Sequence, residues 1–183
     1  MLALIRKYKS VLRFILTFLG SYLVLVLVYQ VYLKYGSSPA YYPDFITHLV
    51  AQQSELLIQA FGFDGQVEPS KTEAAMNLSV NGRFLARIIE GCNAVSIILL
   101  FVSFMLAFWG GWKRTLLFAF AGIVLIYSIN ILRIAILSIG IYRYPEHTEI
   151  LHGTVFPGII YGMVCLLWVF WVNRFSNLKK KNV

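Results

Sequence analysis

The sequence predicts an all-α integral membrane protein of about four transmembrane helices, with both termini cytoplasmic, an amphipathic helix on the outer face and a small β-hairpin beside it. Three observations carry that prediction. Of 183 residues, 59% are hydrophobic and 13% charged, which is about half the charged share of a soluble globular domain. Apolar runs occupy 12–34, 91–109, 115–141 and 154–173, each near or above the roughly 20 residues a helix needs to cross the hydrocarbon. The charges also sort by segment. Arg6, Lys7, Lys9 and Arg13 lead into the first run, Lys113 and Arg114 sit in a short break, and Arg174, Lys179, Lys180 and Lys181 follow the last run. All eight acids lie in the two remaining connections, 35–90 and 142–153. The positive-inside bias therefore puts both termini and the break at 110–114 in the cytoplasm. Four crossings return the chain to its starting side, so the span count and the charge reading agree.

The net charge of +8 is then explained without nucleic acid, because basic residues at these places meet anionic lipid. With only about sixty residues outside the spans, the chain is expected to be one membrane-embedded domain, 1–183.

Each element has its own local reason. The first run, with basic residues before it and Ser38-Pro39-Ala40 after it, imitates a secretory signal and its cleavage site. Its length exceeds the roughly 7–15 residues of a signal's apolar region, so a retained anchor is expected. In the outer connection, Phe45, Leu49, Val50, Leu56, Leu57, Ala60 and Phe61 recur at steps of three and four, an amphipathic helix suited to lying on the outer leaflet. The period then changes to two. Met76, Leu78 and Val80 alternate, Asn81-Gly82 turns the chain, and Phe84, Ala86 and Ile88 resume; Asn-Gly is a preferred dipeptide for a two-residue hairpin turn.

This topology collects three chemically notable side chains at one depth. Cys92 stands at the outer mouth of the second run, and His152 precedes the start of the fourth. Arg133 lies inside the third run, about eight residues or roughly 12 Å from its outer end. A guanidinium in hydrocarbon costs several kcal/mol on most scales, so it is expected to face the bundle interior, an anion or a wet cavity. Asn130, at i−3, shares its helix face and could fix its orientation. Glu90 could orient His152 or pair with Arg87, and the ion pair with Arg87 is the expected arrangement.

Each residue also has a plainer reading. A lone cysteine in an apolar helix is commonly a packing residue, as expected of Cys165, and a loop histidine is commonly solvated. Arg133 could form a structural pair with Glu90 or Glu149. The combination points to chemistry: a thiol, an imidazole to take its proton and a fixed cation to hold developing negative charge are the parts of acyl transfer. His147 and His152 are five apart, not the i, i+4 pair of a zinc helix, and no cysteine pair stands nearby, so neither metal nor cofactor is expected.

At these residues the chain resembles the exosortase/archaeosortase family, membrane-embedded cysteine transpeptidases that process C-terminal sorting signals. "EGCNAV" resembles the family's cysteine motif, "NILRIAIL" its Asn-x-x-Arg segment and "LHGTVFPGIIYG" its histidine segment. The resemblance spans roughly residues 80–165 and is strongest to the short subtype called exosortase F. It implies Cys92 as nucleophile, Arg133 as its stabilising partner and His152 as general base and acid; Asn130 and Glu90 are supporting candidates on the residue reading above. It also implies a bacterial plasma membrane location with the site on the extracytoplasmic side. The implied partners are exported proteins with a tripartite C-terminal tail and an accessory membrane protein. Many relatives read Cys-Ser-Gly where this chain has Cys92-Asn93-Ala94, and the family usually has more spans. Two other classes stay open on the residues alone: a non-catalytic membrane subunit or small transporter, and an envelope acyltransferase.

Overall fold

The computed structural model describes residues 8–36 and 41–175. Arg6, Lys7, Ser38-Pro39-Ala40 and Lys179 to Lys181, on which parts of the charge and cleavage readings rest, lie outside the described residues. The order is α1 (Lys9–Tyr35), α2 (Phe45–Ala60), β1 (Gly65–Pro69), β2 (Met76–Val80), β3 (Arg83–Ile88), α3 (Val95–Ala107), α4 (Trp112–Arg143) and α5 (Phe156–Arg174). Three helical stretches, Lys9–Tyr35, Trp112–Arg143 and Pro145–Arg174, are long and apolar enough to cross a membrane. The second apolar run is shorter as a helix than as a sequence. Its first residues form a 3-10 turn, Glu90–Cys92, and α3 keeps 13 residues, a rise of about 20 Å.

The expected loop at 142–153 is largely helical. α4 continues to Arg143, a 3-10 turn covers Pro145–His147, and a π-helical turn, Leu151–Val155, runs directly into α5. The apolar run identified where hydrocarbon could be crossed, whereas backbone hydrogen bonding carries the helix past it into polar residues.

At one end of the helices sits the sheet. It has three strands in the order β1-β2-β3, all antiparallel, rather than the expected two-stranded hairpin. β1 carries Gln66, Val67 and Glu68 between Gly65 and Pro69, too little alternation to register as a strand, and a proline that suits an edge. The Asn81-Gly82 turn does form, with positive φ at both residues, as a two-residue turn of this hand requires. The β3 face differs from the expected alternation. Leu78 pairs with Ala86 but Ser79 pairs with Phe84, so Leu85 is an extra residue and the bulge flips the facing of what precedes it. Phe84 is thereby exposed, under the Arg87 guanidinium, while Leu85 packs inward.

α2 packs differently from the leaflet-lying helix its periodicity suggests. Asp44 caps it, accepting from the Ile46 and Thr47 amides, and its buried face is Thr47, Val50, Ala51, Ser54 and Ile58. With Met76, Leu78, Val80 and Ile88 of the sheet and Ile134 and Ala135 of α4, this face builds one core. Of the expected apolar stripe, Val50 is in that core, whereas Phe45, Leu56 and Phe61 stay exposed. Small and hydroxyl-bearing residues let α2 approach the sheet closely, which apolar periodicity does not register.

The other end is aromatic. Phe14 and Phe18 of α1 meet Phe104, Trp168 stacks on Phe104, and Phe118 stands between Phe101 and Trp171. The Trp171 indole donates to the Phe108 carbonyl at 2.8 Å. α3 and α4 cross at Gly122, where an added Cβ would overlap the ring of the fully buried Phe101. Close helix approach through a small residue is a common membrane packing device. Gly122→Ala is expected to cost about 1–3 kcal/mol by overpacking, read as a lowered thermal midpoint in detergent. Adding Phe101→Leu should restore part of it; an unchanged midpoint in the single variant would show that this crossing tolerates a methyl.

Candidate functional site

Cys92 is placed by the junction between sheet and bundle. β3 ends at Ile88, Ile89 stays extended, and the Glu90–Cys92 turn closes with the Cys92 amide donating to the Ile89 carbonyl at 2.8 Å. Its side chain is half-buried and packs against the core shared by α2, the sheet and α4. The next two residues explain why the turn holds. Asn93 is fully buried; its amide donates to the Tyr29 hydroxyl at 2.8 Å and to Thr47 Oγ1 at 3.0 Å, and its Oδ1 accepts from the Val95 amide at 2.9 Å. Ala94 follows in the left-handed region, φ 64, and starts α3.

Left-handed backbone disfavours Cβ, yet the Ala94 methyl is buried against α3 and α5 side chains. A glycine gains roughly 1–2 kcal/mol of backbone relief and loses about 0.8 kcal/mol of methyl burial, so Ala94→Gly should stay within about 1 kcal/mol of the parent. Ala94→Val, β-branched at positive φ, should lose about 1–3 kcal/mol. Denaturation midpoints of the two variants check this, and equal midpoints would refute it.

α4 supplies the opposite wall. Asn130 is buried and its amide donates to the Cys92 carbonyl at 2.7 Å. The expected role for Asn130, orienting Arg133, is corrected: its donor reaches across to the cysteine turn instead. Arg133, one turn further, is half-buried. Its Nε is buried without a hydrogen-bond partner, as is Asn130 Oδ1. Among the described residues the ion pairs are Arg87 with Glu73 and His147 with Glu146, so Arg133 forms neither of the pairs weighed for it. The expected Glu90–Arg87 pair is also corrected. Strand register sets Arg87 opposite Asn77, and Glu73, in the bend that leads into β2, reaches the Arg87 guanidinium at 2.9 Å, while Glu90 is exposed.

His152 lies in the π-helical turn, exposed, rather than in a loop. The neighbouring Leu151 packs with Leu137, Ile141 and Phe156, and Leu85 of β3 joins the same cluster. Leu137 is four residues beyond Arg133, about 6 Å along the axis. One face of α4 thus meets the cysteine turn at Asn130 and the histidine turn at Leu137. Among the described residues no hydrogen bond or ion pair joins the Cys92 thiol, the Arg133 guanidinium and the His152 imidazole. No cluster of three His, Cys, Asp or Glu side chains suited to a metal occurs among them either. Cys165 is exposed on α5, away from this junction. Tyr29, Thr47 and Asn93 are the site-forming residues that motif reading passes over, since their only signal is being polar within apolar surroundings.

The fold and the junction define a membrane protein in which the turn of a half-buried cysteine is hydrogen-bonded to Asn130 of a membrane-length helix, the helix that one turn on carries an arginine whose buried Nε has no hydrogen-bond partner. A family model described as transmembrane exosortase matches residues 2–171. The chain belongs to the transmembrane exosortase family. No curated protein and no solved structure matches it.

Proposed function

We propose that this chain is a cysteine peptidase or transpeptidase of the exosortase F type, cleaving C-terminal sorting signals of exported proteins through an acyl-enzyme on Cys92. It acts as one membrane-embedded domain in a bacterial plasma membrane, with the junction of sheet and bundle facing the extracytoplasmic side. What supports this reading most is the Asn130 hydrogen bond to the Cys92 carbonyl. It sets the thiol's turn against the part of α4 that carries Arg133, whose buried Nε has no acceptor. A buried donor without an acceptor costs roughly 1–3 kcal/mol, and an oxyanion is the group that would satisfy it.

In this mechanism the substrate's apolar tail helix lies beside the spans, with its basic end obeying the positive-inside bias, and the peptide before it reaches the junction. Cys92 Sγ adds to the scissile carbonyl carbon while the thiol proton passes to His152. The oxyanion so formed faces Arg133. The C–N bond then breaks, His152 returns the proton to the leaving amine, the tail departs, and a thioester remains on Cys92. An amine of an envelope acceptor, or water, adds to the thioester carbonyl, and the thiol is released with a proton from the attacking group.

The test compares C-terminal peptides of exported proteins, by mass spectrometry, in cells with and without this chain. A set of trimmed C-termini, each ending just before an apolar helix with a basic end and present only when the chain is, is the expected result. Identical profiles would overturn the peptidase reading and leave a non-catalytic membrane subunit or an envelope acyltransferase.

A further inference from the structure

Asn93 does more than the acyl-transfer chemistry asks of it. Every polar atom of its amide is used: two donors on two different helices, Tyr29 of α1 and Thr47 of α2, and one acceptor on the first amide of its own helix. Tyr29 stacks on Tyr32, whose hydroxyl donates to the Asp44 cap of α2 at 3.3 Å, so the two helix ends gathered by Asn93 are also tied to each other. From the other side Asn130 holds the carbonyl of the preceding residue. The backbone at Cys92-Asn93 is therefore pinned by α1, α2 and α4 at once.

Helix ends can be joined by apolar contact. A buried amide with its full set of partners is costlier to assemble and costlier to disturb, and this one sits one residue after the thiol and one before a left-handed residue. Rotation of that segment would carry the Cys92 side chain with it. We propose that Asn93 is a positioning residue for Cys92, holding its turn against α4 through the Tyr29 and Thr47 hydrogen bonds. This rests on reading Cys92 as the nucleophile.

The test uses the full chain in nanodiscs with Cys165→Ala, which leaves Cys92 as the single thiol. Alkylation of Cys92 by N-ethylmaleimide is followed by mass. Asn93→Ala is expected to accelerate alkylation about fivefold or more, as the turn opens more often. Asn93→Asp keeps an acceptor for Val95 but loses both donors, and Tyr29→Phe removes one acceptor; both should fall between. Ser138→Ala, whose hydroxyl bonds only the Ile134 carbonyl of its own helix, should react like the parent. Thermal midpoints separate general loosening from a local effect. Parental rates in Asn93→Ala overturn the proposal; where that variant does not accumulate, parental rates in Asn93→Asp and Tyr29→Phe do so. The readout needs no sorting signal, so a failure of tail trimming to depend on Cys92 sinks the peptidase reading without touching this result.

Discussion

Cys92→Ala should abolish the trimmed C-termini, lowering cleavage by at least about a thousandfold, the scale on which nucleophile removal acts in covalent hydrolases. Cys165→Ala should leave the profile unchanged. The contrast is informative because the chain has two cysteines in opposite settings: Cys92 is half-buried in a turn fastened to three helices, and Cys165 is exposed on an apolar helix. Stability offers a second comparison. Removing a small, half-buried side chain should cost little, so membrane levels of both variants should match the parent. A thioester intermediate would also be intercepted by added hydroxylamine, giving C-terminal hydroxamates that Cys92→Ala lacks. Retained trimming in Cys92→Ala at parental protein level would assign the thiol to packing.

Arg133→Ala should lower cleavage by about 10²–10³, the usual cost of losing an oxyanion donor. Arg133→Lys should recover part of it, because an ammonium keeps the charge but not the planar fork or the Nε position. The structural alternative makes the opposite forecast for stability. If Arg133 held the fold through an ion pair, its removal would strand a buried acid at roughly 3–5 kcal/mol. Among the described residues it has no such partner, and its Nε is already unsatisfied. Arg133→Met, of similar reach, is therefore expected to keep or raise the thermal midpoint while losing activity. A lower midpoint together with intact cleavage would make Arg133 a structural residue.

Local signals carried much of the architecture. Long apolar runs located α1, α4 and α5, and Asn81-Gly82 announced a turn that only positive φ at both residues can make. The cost of a guanidinium in hydrocarbon marked Arg133 before any fold was known. These features depend on a few adjacent residues, so they can be read from a string. Reading by period failed where a single residue resets it: the bulge at Leu85 exposes Phe84 and turns Leu85 inward.

Tertiary structure decided the rest, because the residues concerned gain meaning only from partners far along the chain. Asn93 is unremarkable until Thr47 and Tyr29, 46 and 64 residues away, take its two donors. Asn130 could as well have served Arg133 one turn on, and the choice of the Cys92 carbonyl, 38 residues earlier, follows from how α4 packs on the sheet. Glu73 rather than Glu90 meets Arg87 because the bend between β1 and β2 carries it back to that side chain, 14 residues away in sequence. Sequence by itself singled out a thiol, a guanidinium and an imidazole as the chemically notable side chains and determined which stretches suit a membrane. The hydrogen bonds that hold the thiol in its turn required the fold, since a buried polar group takes its partner from whatever the packing brings within reach.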